Sequence, residues 1–267
     1  MNVETQLNRI TEILAVGFSE LDKRVLNAVK NDELKVHYQP RVMMHTGEIV
    51  GAEALLRWNP VGIDPISTDE FIARAENTGA IHEVTRWVMK QACHDAAVFL
   101  KKWENFTIGV NLSAVCVSSE KLQELVQAVL ASSKIPANKL ELEITESQII
   151  DDPILAIEVM REIGATGVRW ALDDFGTGYS TLNMLSQIPL DILKIDRAFI
   201  ARLTHTKVDV EVAKAIHNLG KACGMDVIAE GMETQDEVDI LLNEIGCEIA
   251  QGYYYAKPMS RDDFLKL

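Results

Sequence analysis

The sequence predicts an α/β fold, a TIM-type (β/α)8 barrel whose first strand runs antiparallel to the others. Three observations predict it. From residue 34 onward, short apolar runs alternate with longer amphipathic ones, giving eight strand candidates in about 235 residues, the span such a barrel needs. Only the first two of these are joined by a turn too short for a crossover helix. Polar side chains gather where the predicted strands end, the rim at which barrels of this kind carry their chemistry. A doubly wound open sheet is the alternative arrangement of the same alternation. With 48% of 267 residues hydrophobic, the chain can bury one large core or two small ones.

Taken in order, residues 1–30 form an N-terminal helix or linker and residues 31–267 the barrel. Val3, Leu7, Ile10, Leu14, Leu21 and Ala28 lie on a heptad-like stripe interrupted by Gly17, too short to establish a coiled coil. Strands are expected at 35–42 and 48–58, joined by the turn His45-Thr46-Gly47, then at 106–114, 139–146, 167–174, 191–198, 226–232 and 248–255. Helical spacing fills 70–101, 119–132, 153–164, 179–187, 207–223 and 235–245. Leu122, Leu125, Val126 and Val129 illustrate it, with polar residues between them.

Charge and cysteine content narrow the function classes. A net charge of −14, from 40 acidic and 26 basic side chains, disfavours duplex DNA or an anionic membrane as a partner. It leaves room for a small nucleotide held through metals. Cys93, Cys116, Cys223 and Cys247 lack the spacing of a zinc site or redox pair and read as reduced core thiols. The start of the chain lacks the pattern of a signal peptide, and no apolar run approaches a membrane span, so a cytoplasmic location is expected.

The most informative segment is Trp170-Ala171-Leu172-Asp173-Asp174-Phe175-Gly176-Thr177-Gly178. It reads as a buried strand running into two adjacent carboxylates and a glycine-rich turn. Successive strand side chains point to opposite faces, so the two aspartates converge only if the strand ends between them. Other strands bring similar groups. Glu53 shares a face with Gly51, Leu55 and Arg57, and Asn111 shares one with Gly109 and Ser113. Glu141 and Glu143 point inward, with Glu146 at the strand end; Lys194 shares a face with Ile192 and Asp196 in Ile192-Leu193-Lys194-Ile195-Asp196. Glu230 ends Val227-Ile228-Ala229, and Gln251 opens the last strand. A single inward acid reads as a buried ion-pair partner. A cluster of them predicts hard cations with oxygen ligands, magnesium or manganese rather than zinc, because no His or Cys stands at these ends.

These residues carry a family resemblance. HYQP at 37–40, EALLRW at 53–58, AENTG at 75–79, NLS at 111–113, EITES at 143–147, DDFGTGYS at 173–180, LKIDRAFI at 193–200, AEGMET at 229–234 and QGYYYAKP at 251–258 occur in order. Over residues 22–267 the chain resembles the EAL domain, the bacterial cyclic di-GMP phosphodiesterase. The resemblance implies hydrolysis of cyclic di-GMP to linear pGpG with two magnesium or manganese ions per active site. Glu53, Asn111, Glu143 and Asp173 resemble the ligands of the first ion; Asp173 bridges to the second, with Asp174 and Glu230 on that side. Lys194 and Glu230 resemble the groups that hold and activate the attacking water. Gln39, Arg57 and Gln251 resemble substrate-binding residues, Arg57 on the phosphate. Glu146 resembles the glutamate that steadies loop 175–180, through which, with the following helix, the resemblance implies a homodimer.

Departures from the family pattern are small: Thr68 where proline is usual, Arg41 where an apolar residue is commoner, and Met232 for valine. None of them is expected to touch a metal ligand, and they are expected to alter packing or substrate-pocket shape. The competing functional reading is a catalytically silent cyclic di-GMP receptor, which typically lacks the first glutamate or the aspartate pair; both are present here. An enolase-like barrel also uses strand-end acids, magnesium and lysine, but gives Arg57 and the adjacent aspartates no role.

Overall fold

The computed structural model describes residues 17–64, 66–117, 119, 121–145, 153–176 and 187–267. Eight strands close into a barrel in sequence order: β1 (Leu34–Met43), β2 (Glu48–Trp58), β3 (Thr107–Asn111), β4 (Leu140–Thr145), β5 (Arg169–Phe175), β6 (Ile192–Ile195), β7 (Asp226–Glu230) and β8 (Ile249–Gln251). All pairings from β2 to β8 are parallel, whereas β1 closes onto β8 antiparallel. The expected barrel and its reversed first strand are therefore both present.

Among the described residues the α-helices are α1 (Glu20–Leu26), α2 (Thr68–Thr78), α3 (Ile81–Phe99), α4 (Ala114–Val117), α5 (Lys121–Ser133), α6 (Pro153–Gly164), α7 (Arg197–Ile200), α8 (Lys207–Ala222), α9 (Gln235–Ile240) and α10 (Arg261–Phe264). The single helix expected over 70–101 is two. Gly79, at φ 76°, ends α2 in the left-handed conformation that glycine adopts without a Cβ clash. The stretch expected over 235–245 begins as α9 and widens into a π turn at Leu241–Ile245. Three cysteines are buried as expected, but Cys223, just past α8, is exposed; none of them forms a disulfide among the described residues. No described helix is long and apolar enough to cross a membrane.

Two compact units are distinguished, one from the chain up to Lys35 with Leu56–Trp87, the other from Val36–Leu55 with Val88–Leu267. In the first, Trp58 packs on Phe71 with ring centroids 5.1 Å apart and donates to the buried Glu33, which also pairs with Arg24. In the second, Tyr38, Phe99, Phe106 and Phe264 interlock edge-to-face or tilted. The Tyr38 hydroxyl donates to buried Asp95 at 2.6 Å. Of the N-terminal stripe, Val3, Leu7, Ile10 and Leu14 lie outside the described residues.

The barrel interior explains where the site falls. Ala171 of β5, Ile192 of β6 and Ile228 of β7 form a buried apolar cluster, with Ile249 of β8 packed against it. Two residues further along each strand the same face recurs. Those next inward positions are Asp173, Lys194, Glu230 and Gln251.

Candidate active site

Glu53 on β2, Glu143 on β4 and Asp173 on β5 each offer a carboxylate oxygen, and these atoms all lie within 4.8 Å of one another. All three residues are buried. The Lys194 ammonium, fully buried on β6, faces the group. It donates to Glu143 and, at 2.9 Å, to Asp173; it lies 2.7 Å from Glu230 and 3.8 Å from Glu53. Asn111 donates its amide to Glu53, and Gln251 donates to the other Glu53 oxygen and to Gln39. Gln39 in turn reaches the Ala256 carbonyl at 3.2 Å. Gln251 closes β8 rather than opening it, because the last strand is only three residues long.

Burial disfavours charge on Lys194, but Asp173, Glu143, Glu230 and Glu53 outweigh that cost and hold its pKa well above the usual lysine range. Burial pushes Glu143 up to about 7 despite Lys194 and Arg41 beside it. It raises Glu230 well above the ordinary carboxylate range, Lys194 opposing and Asp173, Glu53 and Glu143 adding to it. Five carboxyl groups, Glu53, Glu141, Glu143, Asp173 and Glu230, gather around two buried cations, Arg41 and Lys194, with Arg169 also 3.3 Å from Glu141. Oxygen donors converging with excess negative charge fit a hard divalent cation.

The two aspartates are placed differently from the expectation. The β5 strand does not end between them; it bulges. Leu172 pairs with Leu193 and Phe175 with Ile195, so β5 carries one residue more than β6 over the same step. Asp174 takes up the extra residue at φ 55°, a left-handed conformation that aspartate tolerates better than most side chains. Its backbone N–H donates to Asp173 at 2.9 Å. The Asp174 carboxyl stands apart from the three clustered donors and is hydrogen-bonded to Asp196. Local burial, then the charges of Asp173 and Asp196, push it up to about 6. Asp196 does not extend β6 on the Lys194 face; it caps α7 by accepting from the Ala198 N–H.

Arg57 follows Glu53 by four residues on β2, is half-buried, and donates to the Leu56 carbonyl at 2.8 Å. Glu146, residues 177–180 of the glycine-rich loop and the expected helix 179–187 up to residue 186 lie outside the described residues. Beside the cluster opens a cavity of about 210 Å³, lined among others by Gln39, Glu53, Arg197, Glu230, Gln251 and Tyr253.

Sequence reasoning missed Arg41. It was expected to touch no metal ligand, yet its guanidinium is 1% exposed and pairs with Glu141 and with Glu143 itself. A signal was available, because Arg41 is two residues from Gln39 on β1 and therefore shares its face. Arg197 and Tyr253 were missed as well; both stand beyond strand ends, in motifs quoted without assigning them a role.

Comparison with known proteins agrees with the geometry. The model of the EAL domain matches residues 22–258. The chain is 35% identical over 239 residues to the bifunctional diguanylate cyclase/cyclic di-GMP phosphodiesterase MucR of Pseudomonas aeruginosa, covering 89% of this chain and 35% of that protein. It is 34% identical over 239 residues to the cyclic di-GMP phosphodiesterase PdeR of Escherichia coli, covering 90% of this chain and 36% of that one. The chain thus spans about a third of the length of these curated relatives. Among solved structures, the PaMucR phosphodiesterase in complex with c-di-GMP superposes with a TM-score of 0.86 at 34% identity, covering 92% of this chain and all of that one. An EAL domain protein from Listeria monocytogenes gives 0.76 at 28% identity, covering 93% and 97%. The barrel, its strand-end acids and these matches place the chain in the EAL domain family.

Proposed function

We infer that the chain is a metal-dependent phosphodiesterase that hydrolyses cyclic di-GMP to linear pGpG. The observation that carries this reading is the convergence of Glu53, Glu143 and Asp173 within 4.8 Å, beside Lys194 and Glu230, at one end of the barrel. Glu53, Asn111, Glu143 and Asp173 would hold one magnesium or manganese ion, and Asp173, Asp174 and Glu230 a second. The chemistry such a pair supplies when bound is neutralisation of the phosphodiester and acidification of a nearby water.

The chain's own residues do the rest. Glu230 accepts the proton of the attacking water at a carboxylate oxygen. The Lys194 ammonium, 2.7 Å from Glu230, places fixed positive charge where negative charge grows. The water oxygen forms a bond to phosphorus as the bond from phosphorus to the ribose 3′ oxygen breaks. That oxygen takes up a proton from solvent water and leaves as the 3′ hydroxyl, while the proton held by Glu230 returns to solvent, and pGpG with a 5′ phosphate results. Arg57 contacts the phosphate, and Gln39 and Gln251 orient the nucleotide beside the cluster. A homodimer through residues 175–187 and a cytoplasmic location belong to the same reading.

Incubation with cyclic di-GMP, in magnesium and in chelator, with products followed by chromatography, tests the proposal. Metal-dependent pGpG is expected. Glu53→Ala removes a ligand of the first ion and is expected to abolish turnover at ordinary magnesium levels. Tight binding without cleavage by the unaltered chain would make it a receptor. Normal hydrolysis by Glu53→Ala would remove the metal site from the mechanism.

A further inference from the structure

Arg41 sits beneath the acidic cluster and touches one of its three donors, Glu143, directly. One guanidinium nitrogen donates to Glu141 and another to Glu143, both on β4. The third, Nε, donates to the Gln251 side-chain oxygen at 3.3 Å. That contact fixes which way the Gln251 amide points: with its oxygen held by Arg41, its nitrogen donates to Glu53. One planar fork therefore reaches Glu143 directly and Glu53 through Gln251, two of the three clustered donors.

The surroundings are built for it. Gly109 on β3 has no side chain, and a Cβ there would lie 2.3 Å from the Arg41 guanidinium and 1.8 Å from a Glu143 oxygen. Arg41 and Lys194 take different oxygens of Glu143, so the carboxylate is held from below and from the side. A plain structural ion pair would need the vacated position at Gly109 too, but not the third contact, which ties the same guanidinium to Gln251.

We propose that Arg41 is a positioning residue for the divalent-cation site, fixing the Glu143 carboxylate and the Gln251–Glu53 pair in the arrangement that binds metal. This rests on the metal-dependent reading above. Arg41 acts through its neighbours and does not itself touch metal or substrate. It also sets the charge of the cluster, and that second effect has the opposite sign, because removing a cation strengthens cation binding. A test must hold charge constant.

Two variants do so. In Arg41→Met combined with Glu141→Gln, one positive and one negative charge leave together. Arg41→Lys keeps its charge but loses the fork that holds Gln251. Mn²⁺ binding to the folded proteins is measured by titration calorimetry and by the spin-resonance signal of the bound ion, with circular dichroism as the control on folding. Both variants are expected to bind Mn²⁺ more weakly, the double variant on the order of 10–100-fold, the usual effect of losing a partner that orients metal ligands. Glu141→Gln alone is expected to stay within a few-fold of the unaltered protein. Affinity and spectrum unchanged in either folded charge-balanced variant would overturn the positioning role. An unaltered protein that binds no Mn²⁺ would overturn the metal reading first, and this inference with it. If the double variant does not fold, Arg41→Lys decides alone.

Discussion

At Gly109 the absence of a side chain is what lets a buried arginine and a buried glutamate meet. A methyl group there would collide with both the Arg41 guanidinium and the Glu143 carboxylate. Neither can retreat, since each is almost wholly enclosed. Gly109→Ala is therefore expected to destabilise the protein by about 3 kcal/mol or more, combining overpacking with a displaced buried charge pair. Urea unfolding checks the stability. Asn111, two residues further along β3, showed in the sequence as a site residue with small neighbours. What fills the space those neighbours leave did not show, because Arg41 comes from a strand that runs the other way. On an antiparallel strand the side chains that reach the rim precede those that lie beneath it. Asp174 is a second case: the acid pair was legible, but the bulge that turns it depends on a backbone angle no residue type dictates.

At the scale of elements, the period of two explains why so much of the site was legible. An inward apolar position on β5, β6, β7 and β8 is followed by an inward polar one, so each strand states its own contribution. Helix ends were less legible, because a long amphipathic run does not reveal a left-handed break such as Gly79. Helix α8 carries a titratable group with a readable consequence. His217 is buried, and burial pushes its pKa below the usual histidine value of 6.5. Lys221, one turn along the helix, acts in the same direction; Asn218 and Glu248 act against it. The unfolded chain therefore takes up this proton before the folded one does. Its contribution to stability is intact above about pH 6.5 and declines as pH falls below that, levelling once the folded form is protonated too. His217→Gln is expected to flatten the stability profile between pH 7 and 5 relative to the unaltered protein. Parallel slopes in urea titrations of the two proteins would contradict the assignment.

For the whole molecule, net charge and site charge point the same way. The chain carries −14, and part of that excess is concentrated inside the barrel, where Glu53, Glu141, Glu143, Asp173 and Glu230 outnumber Arg41 and Lys194. Without a metal these acids repel one another in a region that water screens poorly, and folding bears the cost. An ion that binds the folded state alone removes that cost and stabilises by mass action, about 2.7 kcal/mol at a hundredfold excess over its dissociation constant. For a protein of this size that corresponds to a rise in melting temperature of about 5–10 °C. Millimolar magnesium is expected to produce it, and a chelator to reverse it. General screening of the surface charge offers a rival account, because any salt relieves repulsion between exposed acids. The two separate at matched ionic strength. Sodium chloride gives only the screening part, and Glu53→Ala, which leaves the surface intact, retains that part and loses the specific response to magnesium. Equal shifts from both salts would show that the buried acids hold no metal, and would move the excess charge from the chemistry of the site to the solubility of the surface.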